Sequence, residues 1–193
     1  KAFECHKRAN ELDKTDAVVW NNLGYCYRNG IGTEVNGKKA FECYKKANEL
    51  DKTVARYWNN LGYCYHNGIG TEINGKKAFE CHKRANELDK TDAVFWYNLG
   101  IFYQNGIGTA VNGKKAFECY KKATELDKTD ARYWYNLGYC YQNGIGTDVN
   151  GKRAFECYKK ANELDKTVAR YWNNLGFCYL RGIGTDVNEK KAF

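Results

Sequence analysis

The pentapeptide KAFEC begins at Lys1, returns at Lys39, Lys77 and Lys115, and appears as RAFEC at Arg153, each step being 38 residues. Trp20, Trp58, Trp96, Trp134 and Trp172 keep the same interval. A fixed period of this size restricts a chain to a repeat array, in which each unit is one supersecondary element that buries its apolar face against its neighbours. Five units, 1–38, 39–76, 77–114, 115–152 and 153–190, plus a closing KAF at Lys191, use all 193 residues. No linker or second domain is left, so the sequence reads as a single array and as a piece of a longer one.

Two helices are legible in each unit. After Thr53, the stretch VARYWNNLGYCYHN places Trp58, Leu61, Gly62 and Tyr65 at i, i+3, i+4 and i+7, one face of a helix. Gly68 is a stop signal, and GIGTE is a turn-rich connector. Asn74 is an N-cap for the next helix, GKKAFECHKRANEL, where Ala78, Cys81, His82, Ala85 and Leu88 form an apolar stripe. DKTD then turns the chain into the following unit. No segment alternates with period 2, so the expected class is all-α.

The spacing W-x2-L-G-x2-Y, present as Trp20, Leu23, Gly24 and Tyr27 and unchanged in the other four units, resembles the tetratricopeptide superfamily. The GIGT connector before KKAFECYKKA is more similar to the Sel1-like branch, whose loop between helices is longer. The resemblance covers the whole chain. It implies a right-handed α-α superhelical solenoid of five 38-residue helix-turn-helix repeats, lined on its concave surface by the first helices. It also implies a non-catalytic adaptor or scaffold, without naming a partner. ELDK stands where tetratricopeptide units often have LDP.

The residues that could carry chemistry read as structure. Cys26, Cys64, Cys140 and Cys178 fall on first helices, and Cys5, Cys43, Cys81, Cys119 and Cys157 on second helices. Some secreted Sel1-like proteins staple each helix pair with a disulfide. Here Phe102 replaces the cysteine of one first helix while Cys81 and Cys119 both remain, which favours buried reduced thiols over a disulfide ladder. No cysteine pair has zinc spacing, and no metal or other cofactor is expected. His6 and His82 stand where Tyr44, Tyr120 and Tyr158 do elsewhere, and His66 where Arg28, Gln104, Gln142 and Leu180 do. A general base or ligand would not be so interchangeable. NGIGT lacks phosphate-loop spacing and follows a helix.

Near-identical units make their differences informative. Variation on the first helix concentrates at four places: Val18, Arg56, Val94, Arg132, Arg170; Asn21, Asn59, Tyr97, Tyr135, Asn173; Tyr25, Tyr63, Ile101, Tyr139, Phe177; and Arg28, His66, Gln104, Gln142, Leu180. These lie at i, i+3, i+7 and i+10, one narrow face away from the Trp-Leu-Gly-Tyr face. Beside it every unit keeps an asparagine: Asn22, Asn60, Asn98, Asn136 and Asn174. Amides match an extended peptide backbone, and related superhelices hold peptides on such a ladder. The expected site is therefore these five asparagines with Arg56, Arg132, Arg170, Tyr63, Tyr97, Tyr135 and Tyr139, and its ligand an acidic or carboxylate-bearing peptide. The competing reading is free drift of exposed positions after duplication.

The formal charge of +8 permits nucleic acid, but the lysines crowd second helices and connectors instead of interleaving with the aromatic face. No apolar run approaches the ~18 residues of a membrane span. No signal segment is visible and the nine cysteines are odd in number, which points towards a reducing, cytoplasmic setting. Interior-like residues at both ends, Ala2, Phe3 and Cys5 at one and Trp172, Leu175 and Tyr179 at the other, raise end-to-end stacking into a filament as the structural alternative.

Overall fold

In the computed structural model, which describes residues 1–192, every regular element is a helix. The chain divides into two compact units. The first, residues 1–90 with 107–109, holds α1 (Ala2–Leu12), α2 (Ala17–Asn29), α3 (Gly37–Leu50), α4 (Ala55–Asn67) and α5 (Gly75–Leu88). The second holds α6 (Ala93–Asn105), α7 (Gly113–Leu126), α8 (Ala131–Asn143), α9 (Gly151–Leu164), α10 (Ala169–Arg181) and the short α11 (Glu189–Ala192). In each, a first helix packs most extensively on the second helix that follows it: α2 on α3, α4 on α5, α6 on α7, α8 on α9. Counting a repeat from a first helix to the second helix that follows it, packing onto the next repeat is slighter, as between α3 and α4 or α7 and α8.

Local chemistry sets the boundaries. α2, α4, α6, α8 and α10 each end on a glycine, Gly30, Gly68, Gly106, Gly144 and Gly182, with φ between 64° and 68°. Few other residues accept that left-handed conformation cheaply. Six residues later Asn36, Asn74, Asn112 and Asn150 open the second helices, each Oδ1 accepting the N–H three residues on at 3.0 Å. After the second helix an aspartate closes a tight turn: Asp51 Oδ1 accepts from Thr53 N and Oγ1 at 2.8 and 2.6 Å, and Asp13, Asp127 and Asp165 do the same. The Trp indole then locks that turn from above, Trp20, Trp58, Trp134 and Trp172 donating Nε1–H to the carbonyls of Lys14, Lys52, Lys128 and Lys166 at 2.8–3.0 Å.

The helix pair closes around the signature glycine. A Cβ on Gly100 would lie 2.5 Å from the Tyr120 ring, and one on Gly24 would lie 2.8 Å from the Tyr44 ring. The absent side chain is what lets the second-helix ring lie against the first-helix backbone, where Tyr44, Tyr120 and Tyr158 are wholly buried. Alanines complete the second-helix stripe: Ala40, Ala47, Ala78, Ala85, Ala116, Ala123, Ala154 and Ala161 are fully buried. Between repeats, Phe41 meets Tyr65 edge-on at 5.4 Å, and Phe117 meets Tyr141 likewise at 5.3 Å. A further inter-repeat core residue stands just before the Trp: Tyr57, Tyr133 and Tyr171 are at most 5% exposed, with Ala93, Ala123 and Tyr133 forming one cluster and Ala131, Ala161 and Tyr171 another. Its signal was in the sequence, since an apolar or aromatic residue occupies that place in every repeat.

Placing a methyl group at the signature glycine overpacks a closed core. Gly100→Ala should therefore lose about 1–3 kcal/mol of stability, read as a lower urea midpoint with near-native helix content by circular dichroism.

Candidate functional site

The four variable places on the first helix divide into two kinds. On α4, α6 and α8 the second and fourth turn towards the buried ring of the second helix that follows, whereas Asn173 and Leu180 on α10 are exposed. Tyr120 Oη donates to Gln104 Oε1 at 2.7 Å, and Tyr158 Oη to Gln142 Oε1 at 2.6 Å. Tyr97 packs on Tyr120 with centroids 6.1 Å apart, and Tyr135 on Tyr158 at 5.8 Å. Where the ring is His82, the partners change with it: Asn59 Oδ1 lies 3.2 Å from His82 Nδ1, and His66 is its electrostatic neighbour. Much of the variation that the sequence presents as one surface is thus matched packing within a repeat.

The first and third places stay open. Tyr25, Tyr63, Tyr139 and Phe177 are 36–48% exposed, and Val18, Arg56, Arg132 and Arg170 are exposed as well. Guanidinium groups lie on tyrosine faces here. Arg28 is over Tyr25 and Tyr63 at 5.4 and 5.0 Å, Arg132 over Tyr97 at 5.3 Å, and Arg170 over Tyr135 at 5.4 Å. The asparagines are half-buried and partly committed. Asn60 Nδ2 donates to Asn21 Oδ1 at 2.7 Å, and Asn136 Nδ2 to the Arg132 carbonyl at 2.9 Å. Asn22, Asn98 and Asn174 hold the same half-buried position. Arg132 is also engaged by Asp130, at 2.6 Å from Nη2. Spacing alone does not disclose that ion pair, although Asp130 standing two residues before Arg132 is its sequence trace.

The thiols and the buried imidazole are insulated from chemistry. All nine cysteines are free, eight of them buried and Cys5 exposed. Burial pushes Cys43, Cys81, Cys119, Cys140 and Cys157 up to about 12, and Cys64 and Cys178 to about 11. Those thiols stay protonated and unreactive at neutral pH. Phe102, standing in the cysteine slot, is 2% exposed, as a packed apolar site requires. His82 is brought down to about 4, first by burial and then by the nearby His66. Among the described residues, no three His, Cys, Asp or Glu side chains gather as a metal set, and no helix is long and apolar enough to cross a membrane.

The Sel1 repeat model matches residues 21–52, 59–90, 97–128, 131–166 and 173–193, most of the chain. The chain belongs to the Sel1 repeat family. A TPR repeat model also matches residues 114–144, α7 to α8. The Sel1 matches run from first helix through connector to second helix, the same pairs that pack most extensively. The crystal structure of a Sel1 repeat protein from Oxalobacter formigenes is similar at TM-score 0.78 and 28% identity, over 99% of this chain and 77% of that one. A protective antigen of uropathogenic Escherichia coli, c5321, is similar at TM-score 0.81 and 27% identity, over 98% of this chain but only 38% of its own length. YrrB, a TPR protein, shares the fold at TM-score 0.69 and 22% identity, over 100% of this chain and 89% of that one. No curated protein sequence matches significantly. Together these place the array in the α-solenoid class, and proteins of Sel1 and TPR repeats generally mediate protein–protein interactions, typically without catalysis.

Two measurements check this description of the buried groups. A thiol reagent at mild alkaline pH should modify Cys5 rapidly and the other eight only after denaturation, seen by intact mass. His82 binds its proton more weakly folded than unfolded, so the unfolded state holds more protons between about pH 6.5 and 4. Stability should fall as pH drops through that window, by at most about 3 kcal/mol. The double variant His66→Gln/His82→Tyr, which copies the Gln104–Tyr120 pair, should remove that dependence in denaturant titrations at neutral and acidic pH.

Proposed function

We propose that the chain is a non-catalytic interaction module holding an extended acidic peptide, or such a segment of a partner protein, on its first helices. The observation that carries this reading is the exposed ring on the first helices of each compact unit, Tyr25 and Tyr63 in one and Tyr139 and Phe177 in the other, side chains of the type that cores and interfaces bury. Arginines beside these rings favour carboxylates. In each unit the half-buried asparagines, Asn22 and Asn60 in one and Asn98, Asn136 and Asn174 in the other, are the backbone-reading element. Asn60, which spends one N–H on Asn21, retains a second N–H and its acceptor oxygen. YrrB, of the same fold, is described as having an unusual peptide-binding site, which supports the ligand class without transferring its residues.

End-to-end stacking gains no comparable support. The cleft of about 520 Å3 over Trp172, Leu175 and Tyr179 is what α10 presents when only the four residues of α11 cover it.

Selection from an acidic peptide library followed by titration tests the reading. Tyr63→Ala and Tyr139→Ala should each weaken the selected peptide about tenfold, ~1.4 kcal/mol, with the melting temperature unchanged because both side chains are exposed. Undiminished affinity in both variants would reject this face as the site.

A further inference from the structure

The residue that caps each first helix and the residue two places on vary together. The caps are Asp16, Val54, Asp92, Asp130 and Val168, and the second set is Val18, Arg56, Val94, Arg132 and Arg170. Aspartate and arginine occur together only before α8, where the outcome is visible. Asp130 accepts the Arg132 backbone N–H at 2.9 Å, Nε–H at 3.0 and 3.1 Å, and Nη2–H at 2.6 Å, while the guanidinium lies over Tyr97 and Tyr133 at 5.3 and 5.9 Å. One carboxylate thus fills the Nε–Nη2 edge of the Arg132 guanidinium and neutralises its charge.

One repeat later the same apparatus lacks its carboxylate. Arg170 lies over Tyr135 and Tyr171 at 5.4 and 5.7 Å, nearly the geometry of Arg132 on its own two rings. The cap is Val168, which offers no side-chain acceptor. Asp165, the nearest acid along the chain, is turned into its own loop, accepting from Thr167 N and Oγ1 at 2.9 and 2.6 Å. Arg56 before α4 likewise follows a valine cap, but Asn21 stands where Tyr135 does and no ring holds it. Of the two open arginines, Arg170 is the one with an aromatic seat.

We propose that Arg170, seated on Tyr135 and Tyr171, receives a ligand carboxylate in the position that Asp130 occupies against Arg132. A guanidinium whose Cζ lies over two rings keeps its N–H donors for hydrogen bonding, so with no cap carboxylate beside it a ligand carboxylate can bind it with two parallel hydrogen bonds. The ligand is an acidic peptide whose carboxylate belongs either to a side chain or to its C-terminus. The inference rests on the peptide reading above and sharpens it, because it excludes Arg132 and makes the α10 end of the face the acid-selective part.

Three short peptides of matched length separate these possibilities: a blocked one alternating Glu and Ala, the same with Gln for Glu, and an alanine peptide with a free C-terminal carboxylate. Each is titrated by anisotropy into the whole chain and into Val168→Asp, Arg170→Gln and Asp130→Val variants. Val168→Asp supplies the missing cap, so it should raise the melting temperature while weakening the carboxylate peptides about tenfold. Loss of binding in that variant therefore cannot be misfolding. Arg170→Gln should weaken binding similarly, and Asp130→Val, by opening Arg132, should strengthen it. The carboxylate peptide that loses affinity in Val168→Asp identifies the source. Equal binding of both carboxylate peptides to the wild type and Val168→Asp overturns the site and leaves the peptide reading standing. Binding of none of the three overturns both.

Discussion

Each helix pair depends on the close approach between the backbone at the signature glycine and the ring lying on it. Gly100 against Tyr120, like Gly24 against Tyr44, leaves no room for a methyl group. Once a large ring lies wholly buried on a helix backbone, its polar atom must find a partner nearby. Gln104 and Gln142 accept the tyrosine hydroxyls of their repeats. His82 is paired with Asn59 instead. Tyr44 faces Arg28, which cannot accept, and its hydroxyl has no hydrogen-bond partner. The choice of side chain three or four turns along the first helix thus follows from a ring on a different helix.

The second-helix charges obey a similar external constraint. Lysines fill the first turn of α3, α5 and α7, and no basic residue stands in the last turn, the reverse of what the helix macrodipole favours. The signature tyrosine offsets this. Lys39 lies over Tyr27, Lys77 over Tyr65, Lys115 over Tyr103 and Arg153 over Tyr141, all at 5.1–5.4 Å. At the other end, ion pairs such as Lys45–Glu49 and Lys83–Glu87 lie along the solvated face, where each contributes little. The cation–π contact joins the two helices of a repeat, whereas the ion pairs stay within one.

What could be read from sequence was whatever depends on neighbours along the chain. The period, the glycine stops such as Gly68, the Asn74 cap and the alanine–cysteine stripe are local rules, and each appears in the fold as expected. The inward turn of Tyr97 and Gln104 was not legible, because it depends on Tyr120, more than a dozen residues away on another helix. Helical spacing shows that side chains share a face and not which helix they meet. Cys5 is exposed while its counterparts Cys43 and Cys81 are buried, and only the three-dimensional neighbours distinguish them. The Asp130–Arg132 pair escaped for another reason: the cap residue lies outside the helix, and a periodic reading of the helix passes over it.

Four indoles, those of Trp20, Trp58, Trp134 and Trp172, are tied to the turn before them, as with Trp58 and the Lys52 carbonyl. Because the turn is the hinge between one helix pair and the next, losing it frees the indole N–H to water. Ultraviolet emission from those four tryptophans is therefore a natural gauge of which of their turns are closed, with one chromophore assigned to each. Trp172, already 51% exposed, marks the red end of that scale. Variants keeping a single tryptophan would let loosening of the array be followed joint by joint with no added label.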